Sequence, residues 1–221
     1  MTSLYTPKGL IKNKITEIER TKEWHKLNEI DVSNVQDFSF IFYSSKIPSL
    51  SYISNWNVSK GFSFAHMFDG CFEIYNLDGL DTWNMGNAKY LTSMFEGCIK
   101  LEKVDAIKTW FIPRVIELSG MFKYCRKLKL TKGLENFQLS NCIDLSEMFY
   151  GCSSLKYIKE LTNWDVSKCI DFTRMFYNTP DLINVLPLKK WKNISTELSL
   201  EMFNEKQWEL LKPYKIHVNF N

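Results

Sequence analysis

The sequence contains no apolar run of about 18 residues, the length that a helix needs to cross a lipid bilayer. The first residues, Met1 to Lys8, also lack the apolar core of a secretory signal peptide. These absences argue against a membrane-spanning protein and predict a cytoplasmic location, or a surface location only if a leader has been removed. The net charge of +3 is mild, so composition alone neither requires nor excludes a nucleic-acid partner.

The usual sequence signatures of catalysis are missing as well. No Gly-x-Ser-x-Gly motif, phosphate-binding loop or His-Glu-x-x-His motif occurs. The three histidines, His25, His66 and His217, are far apart in the chain. An enzyme needs a nucleophile or paired acid–base groups that further side chains hold in place. We therefore expect no enzymatic activity, no cofactor and no metal site.

A 27-residue repeat dominates what the sequence does contain. A Met-Phe pair recurs six times at a constant step of 27 residues, and a degenerate pair, Ile41-Phe42, precedes the first by 26. The pairs are Met67-Phe68, Met94-Phe95, Met121-Phe122, Met148-Phe149, Met175-Phe176 and Met202-Phe203. A fixed period of about 20 to 50 residues is typical of proteins whose repeats stack on one another.

Other positions keep the same period. A large aromatic side chain stands eleven residues before each Met, and aliphatic side chains recur seven and thirteen residues after it in five repeats. Since such positions lie next to their copies in a stack, these side chains are expected to form inward ladders. Three residues after the Met, Gly70, Gly97, Gly151 and Asn178 suit a left-handed backbone, whereas Tyr124 does not.

The cysteines follow the repeat rather than a disulfide or zinc pattern. Four share the position four residues after the Met: Cys71, Cys98, Cys125 and Cys152. Cys142 and Cys169 share a second position, at which Ala88 and Val115 stand in other repeats. Replacement by small apolar residues favours buried free thiols over disulfides, and no Cys-x-x-Cys pair supports zinc.

These ladders predict an α/β fold, a right-handed solenoid with short parallel strands on one face and short helices or turns on the other. The strand is placed seven to thirteen residues after the Met, as in residues 155–161, and the helical turn around the Met-Phe pair. Residues 1–28 are expected to form a helical cap, or alternatively a partner-binding helix. Residues 29–196 form the repeats and 197–221 a helix-plus-strand cap, which makes 1–221 a single domain.

The repeat motif resembles a known family. The runs Met148-Phe149-Tyr150-Gly151-Cys152 to Leu155, and Trp164-Asp165-Val166-Ser167 to Phe176, resemble the BspA-like leucine-rich repeat of bacterial surface proteins. Residues 27–35 are similar to that family's N-terminal unit. The resemblance implies a leucine-rich-repeat solenoid with a non-catalytic binding role, often adhesion to host proteins.

Two surfaces are candidates for recognition. The outward residues of the predicted strands vary between repeats and combine tyrosine with charge: Tyr75, Asp78, Lys103, Asp105, Lys132, Tyr157 and Lys159. The second surface is a basic run: Lys123, Arg126, Lys127 and Lys129. A basic run suits an acidic protein surface or a nucleic acid, and the lack of interleaved aromatic residues disfavours direct nucleic-acid binding.

Two functions fit these observations. The first is a non-catalytic protein-binding module that recognises a partner protein, of unknown identity, through the strand face. The second is an intracellular inhibitor, for example one encoded by a phage, that occludes a host enzyme such as a nucleic-acid-targeting defence nuclease. The same outward residues would also be compatible with ordinary solvated surface.

Overall fold

The computed structural model describes residues 7–191 together with Met202 and Phe203. An α-helix, α1, spans Pro7–Thr21. Short 3-10 helices follow at Trp24–Glu29, Leu50–Ile53, Asp105–Thr109, Lys159–Asn163 and Leu186–Lys190. No helix in this described part of the chain is long and apolar enough to cross a lipid bilayer. Apart from Met202 and Phe203, the predicted C-terminal cap lies outside the described residues.

The helix α1 packs on the first repeat, in the segment where the sequence favours an amphipathic helix. Its buried residues lie three or four positions apart, on one face: Ile11, Ile15 and Ile18. Lys8 Nζ lies 2.7 Å from Asp37 Oδ2 near the start of the helix. Near its end, Glu19 Oε1 accepts a hydrogen bond from the backbone N–H of Lys46 at 2.5 Å. Polar contacts thus hold both ends of α1 on the repeats.

Strand-type pairing in residues 7–191 occurs only as isolated parallel bridges between consecutive repeats. The first column of bridges joins Asp37, Ser63, Tyr90, Glu117, Asp144 and Asp171. The second column joins Asn76 to Lys103, and Tyr157 to both Leu130 and Asn184. A single paired residue per repeat does not make a strand, and these residues form no sheet. The predicted α/β leucine-rich-repeat solenoid is therefore wrong for this chain.

The segment of residues 155–161 shows why the prediction of a strand in each repeat is wrong. Only Tyr157 is bridged, and the backbone then enters the 3-10 helix Lys159–Asn163. Between them, Ile158 has a ψ of 29°, far from the value of about 115–135° that a strand requires. The inward side chains of this segment recur every third residue, and about three residues per turn is the period of a 3-10 helix. The sequence pattern therefore indicated 3-10 structure where a strand was predicted.

Backbone amides around the five Met-Phe pairs from Met67 to Phe176 bond alternately to the next repeat and to their own. The N–H of Phe68 donates to the carbonyl oxygen of Met94 in the next repeat at 2.9 Å. The preceding N–H, that of Met67, donates to the carbonyl oxygen of Phe64 in its own repeat at 3.1 Å. An α-helix requires every amide to bond four residues back, so this alternation excludes a short helix and leaves the turn, the other form predicted for this segment.

Two left-handed residues, four positions apart, flank Ile41-Phe42 and the Met-Phe pairs from Met67 to Phe176, and the chain forms turns there. Their φ values lie between 52° and 73°, and the pairs are Phe40 and Ser44, His66 and Gly70, Ser93 and Gly97, Gly120 and Tyr124, Glu147 and Gly151, Arg174 and Asn178. The second member of each pair is the position predicted to be left-handed, which confirms that prediction. Tyr124 adopts the same conformation, with a φ of 60°, despite its Cβ atom.

The predicted inward ladders are confirmed, because the Met-Phe pairs, the periodic aromatic residues and the periodic aliphatic residues are buried. The phenylalanine rings of the pairs stack from Phe42 to Phe203, with centroids 5.4 to 5.8 Å apart. Each periodic tryptophan also donates its indole N–H to a carbonyl oxygen of the preceding repeat. For Trp164 the acceptor is Leu134, at 2.8 Å.

All six cysteines are buried and unpaired, which confirms the prediction of free thiols. The four periodic thiols donate hydrogen bonds to a phenylalanine carbonyl oxygen of the preceding repeat, with Sγ–O distances of 2.9 to 3.2 Å. Burial raises the pKa of Cys71 to about 12, and it raises the pKa of Cys125 well above its usual value, because a buried thiolate loses its hydration.

Replacing Trp164 with Ala is expected to lower the free energy of unfolding by about 3–5 kcal/mol, the range for a buried aromatic side chain. Trp164→Phe should cost only about 1 kcal/mol, because Phe137 fills the same position one repeat earlier and one hydrogen bond is lost. Urea unfolding measures both losses. Unfolding of Trp164→Ala at the wild-type urea concentration would contradict the burial of this side chain.

The raised thiol pKa values predict that stability falls in alkali. Unfolded thiols ionise near pH 8.5, at about their ordinary pKa, whereas the folded thiols of Cys71, Cys142 and Cys169 have a pKa of about 12. The unfolded state therefore binds fewer protons, and the free energy of unfolding decreases as pH rises from about 8.5 toward 12.

Urea unfolding at stepped pH measures this decrease, and thiol titration provides the second readout. Native protein is expected to show little reaction, and protein denatured without reductant is expected to show six reactive thiols. Fewer than six in the denatured, non-reduced protein would contradict the free-thiol assignment.

Candidate binding face

The structure brings the predicted recognition residues to the second bridge column. Tyr157 is bridged and 53% exposed, and Tyr75, which precedes the bridged Asn76, is 47% exposed. Lys103 is itself bridged and exposed. The remaining predicted residues each follow a bridged residue by two positions: Asp78, Asp105, Lys132 and Lys159. All seven therefore share one column of repeats, although none of them belongs to a strand.

Three of these residues line an open cleft of about 430 Å³, which Glu102, Val104 and Leu130 complete. The three are Lys103, Asp105 and Lys132. The cleft lies where the second column is interrupted, since no bridge of the described residues joins Lys103 to Leu130. Lys132 Nζ lies 2.9 Å from Asp105 Oδ1, so an ion pair joins two consecutive repeats at this cleft.

The predicted basic run divides into paired and unpaired residues. Lys123 Nζ lies 2.7 Å from Glu147 Oε2, and its ammonium group also lies over the Tyr124 ring at 5.5 Å. Lys127 pairs more loosely, with Glu102, at 3.8 Å. Arg126 and Lys129 form no ion pair within residues 7–191. Only these last two members of the run are therefore available to a partner.

Lys129 has a neighbour that the sequence analysis missed. The N–H of Lys156 donates to the carbonyl oxygen of Lys129 at 3.0 Å, so the two exposed lysines lie side by side in consecutive repeats. The 27-residue period was the signal that could have found this pair. Lys159, two residues beyond Tyr157, is also exposed and forms no ion pair with any described residue.

Exposed apolar side chains continue from Tyr157 into the neighbouring repeats. Leu130 is bridged to Tyr157, and Ile183 precedes Asn184, which is bridged to Tyr157 from the other side. We define the apolar-basic face as eight exposed residues: Leu130, Tyr157, Ile183 and Leu186, with Arg126, Lys129, Lys156 and Lys159. This face offers apolar contact area bordered by cationic hydrogen-bond donors.

A separate group has the donor types of a metal site: the ligand atoms of His66, Asp69 and Glu96 lie within 4.8 Å of one another. His66 Nδ1 lies 2.9 Å from Asp69 Oδ2, and the Phe40 ring stacks on the imidazole at 4.6 Å. Burial raises the pKa of Asp69 above its usual value. Glu96 lies 3.6 Å from Lys123 Nζ. Each of the three side chains thus has a partner within the protein, and together they form a polar network.

Lys123 connects Glu96 of that network with Glu147, and its removal should be costly. Lys123→Met is expected to lower the free energy of unfolding by about 1–3 kcal/mol at pH 7, because the mostly buried Glu96 and Glu147 lose their cation. Urea unfolding at pH 7 measures the difference.

Lys100→Met is the matched control, because its ion pair with Glu73 is exposed and contributes little. A loss in Lys123→Met that equals the loss in the control would contradict the role of Lys123.

One family model matches most of the chain. Its description is "Mycoplasma protein of unknown function, DUF285", and it matches residues 12–129 and, in a second and overlapping match, 100–210. No curated protein and no solved structure is significantly similar to the chain. The two matches include every Met-Phe pair of the 27-residue repeat. On this coverage, the chain belongs to the DUF285 family.

Proposed function

We propose that the protein is a non-catalytic protein-binding module that holds a partner protein on its apolar-basic face. The observation that carries the proposal is the exposure of Leu130, Tyr157, Ile183 and Leu186 along consecutive repeats. An exposed apolar patch with a polar rim is typical of a protein interaction site. Here the rim consists of cations that have no partner in the described part of the chain.

Tyr157 is the anchor of the proposed site. Bridges to Leu130 and Asn184 fix its backbone from both sides, and Ile158 beside it is buried. The side chain is therefore presented from a rigid position, so little conformational entropy is lost on binding. Tyrosine is also among the residue types that contribute most to binding energy at protein interfaces.

The repeat motif supports the same role. Residues 148–155 and 164–176 resemble the repeats of BspA-like surface proteins, and we include this relationship in the proposal. The role implied by that resemblance is binding rather than catalysis. A repeat whose inward side chains are fixed by packing can still vary its outward side chains, which is what recognition of a particular partner requires.

The proposal predicts that Tyr157→Ala weakens partner binding by about 2 kcal/mol or more, as for a central interface residue. Affinity capture with the wild-type chain supplies the partner, and calorimetry then measures the dissociation constants of the variants. Tyr43→Ala is the matched control, because Tyr43 is also 53% exposed but lies in the first repeat. The control variant should bind like the wild type.

Two results would contradict the proposal. One is an equal loss of affinity, or none, in Tyr157→Ala and Tyr43→Ala, with both variants folded by circular dichroism. The other is turnover of a substrate by the purified protein in the absence of any partner.

A further inference from the structure

Three acidic side chains close in sequence or repeat position to the apolar-basic face are already engaged. Asp105 pairs with Lys132 at 2.9 Å, and Glu160 Oε2 accepts a hydrogen bond from Thr131 Oγ1 at 2.8 Å. Glu102 lies 3.8 Å from Lys127. The four cations of the face are left without an intramolecular anion among the described residues. The positive charge there is therefore unbalanced, even though the net charge of the whole chain is only +3.

The arrangement of these cations is specific. Lys129 and Lys156 occupy the same position in consecutive repeats, and their backbones are joined by a hydrogen bond of 3.0 Å. Cations in adjacent repeats repel each other, and an anion placed between them removes the repulsion. Lys159 lies on the other side of Tyr157 in the sequence, so cations border the apolar residues from two directions.

We infer that the face takes an acidic segment of its partner protein, in which carboxylates flank an apolar or aromatic side chain. The inference rests on the proposed function and specifies its partner. The apolar side chain would pack against Leu130 and Tyr157, while the carboxylates pair with Lys129, Lys156 and Lys159. Carboxylates accept hydrogen bonds from ammonium groups, and such charge-assisted bonds are stronger than neutral ones.

The composition of the face favours a protein segment over a nucleic acid. Bases of single strands stack on aromatic side chains, and the face presents one aromatic residue, Tyr157. Its other apolar members, Leu130, Ile183 and Leu186, are aliphatic. Aliphatic side chains cannot stack on successive bases, but they pack well against the apolar side chains of a peptide.

Selection from a random linear peptide library tests the inference without a known partner. Wild-type protein is the bait, and counter-selection on the Tyr157→Ala variant removes peptides that bind at other sites. The peptides that depend on Tyr157 are expected to be enriched in Asp and Glu around a Leu, Ile, Phe, Tyr or Trp residue. One such peptide is then synthesised, and its affinity is measured by fluorescence anisotropy.

The double variant Lys129→Glu/Lys156→Glu should raise the dissociation constant for this peptide by about tenfold or more. Lys89→Glu is the matched control, because Lys89 is exposed and forms no ion pair in residues 7–191, but it adjoins the first bridge column. The control should bind like the wild type. Raising sodium chloride from about 50 to about 300 mM should weaken wild-type binding and leave the double variant nearly unchanged.

The outcomes separate this inference from the proposed function. Peptides that require Tyr157 but show no acidic enrichment would contradict the inference and leave protein binding standing. Failure to obtain any peptide that requires Tyr157 would count against both. Single-stranded DNA or vesicles containing phosphatidylserine, assayed with the same variants, give the third outcome. If either of them binds more tightly than the peptide, and if the double variant loses that binding, then the ligand of the face is that nucleic acid or lipid and not an acidic segment.

Discussion

The alternating hydrogen bonds around the Met-Phe pairs from Met67 to Phe176 are the constraint on which the rest of the structure depends. Buried backbone groups must be paired, and here every second amide is paired only when the next repeat is present. The left-handed residues are a consequence, because they let the chain direct successive amides to different repeats. The step of 27 residues from Met67 onward keeps equivalent donors and acceptors in register, and the single step of 26 before it still leaves the N–H of Phe42 bonded to the carbonyl oxygen of Met67.

Side chains reinforce the same inter-repeat contacts from inside. The phenylalanine rings stack across repeats, while the tryptophan indoles and the periodic thiols donate to carbonyl oxygens of the preceding repeat. Side chains at interior positions therefore contact two adjacent repeats, and few substitutions at these positions would preserve both contacts. Residues beside the second bridge column are not constrained in this way. This difference agrees with the recognition role that we propose for the exposed Tyr157 and Lys156, whereas the buried Trp164 and Cys125 contribute to stability.

The sequence predicted the register and the interior well because both follow from a strict period. It placed Cys71 and Trp164 in the core, and it placed the recognition candidates in one column. The backbone form was predicted wrongly, because an apolar period reports burial and not the hydrogen-bond partner of each amide. Ile158 is inward in a strand or in a 3-10 turn alike. The sequence also could not predict which basic residues form ion pairs, because this depends on side chains in other repeats. Lys123 lies close to Glu147, whereas Lys129 lies beside Lys156.

The most direct measurement of the alternation is scalar coupling across hydrogen bonds, by nuclear magnetic resonance of the deuterated protein. The structure predicts a coupling between the amide nitrogen of Phe68 and the carbonyl carbon of Met94, and between the amide of Met67 and the carbonyl of Phe64. Equivalent couplings are expected one repeat later, from Phe95 to Met121. A coupling from Phe68 to the carbonyl of Phe64 instead, four residues back, would indicate a helix and would contradict this account of the fold.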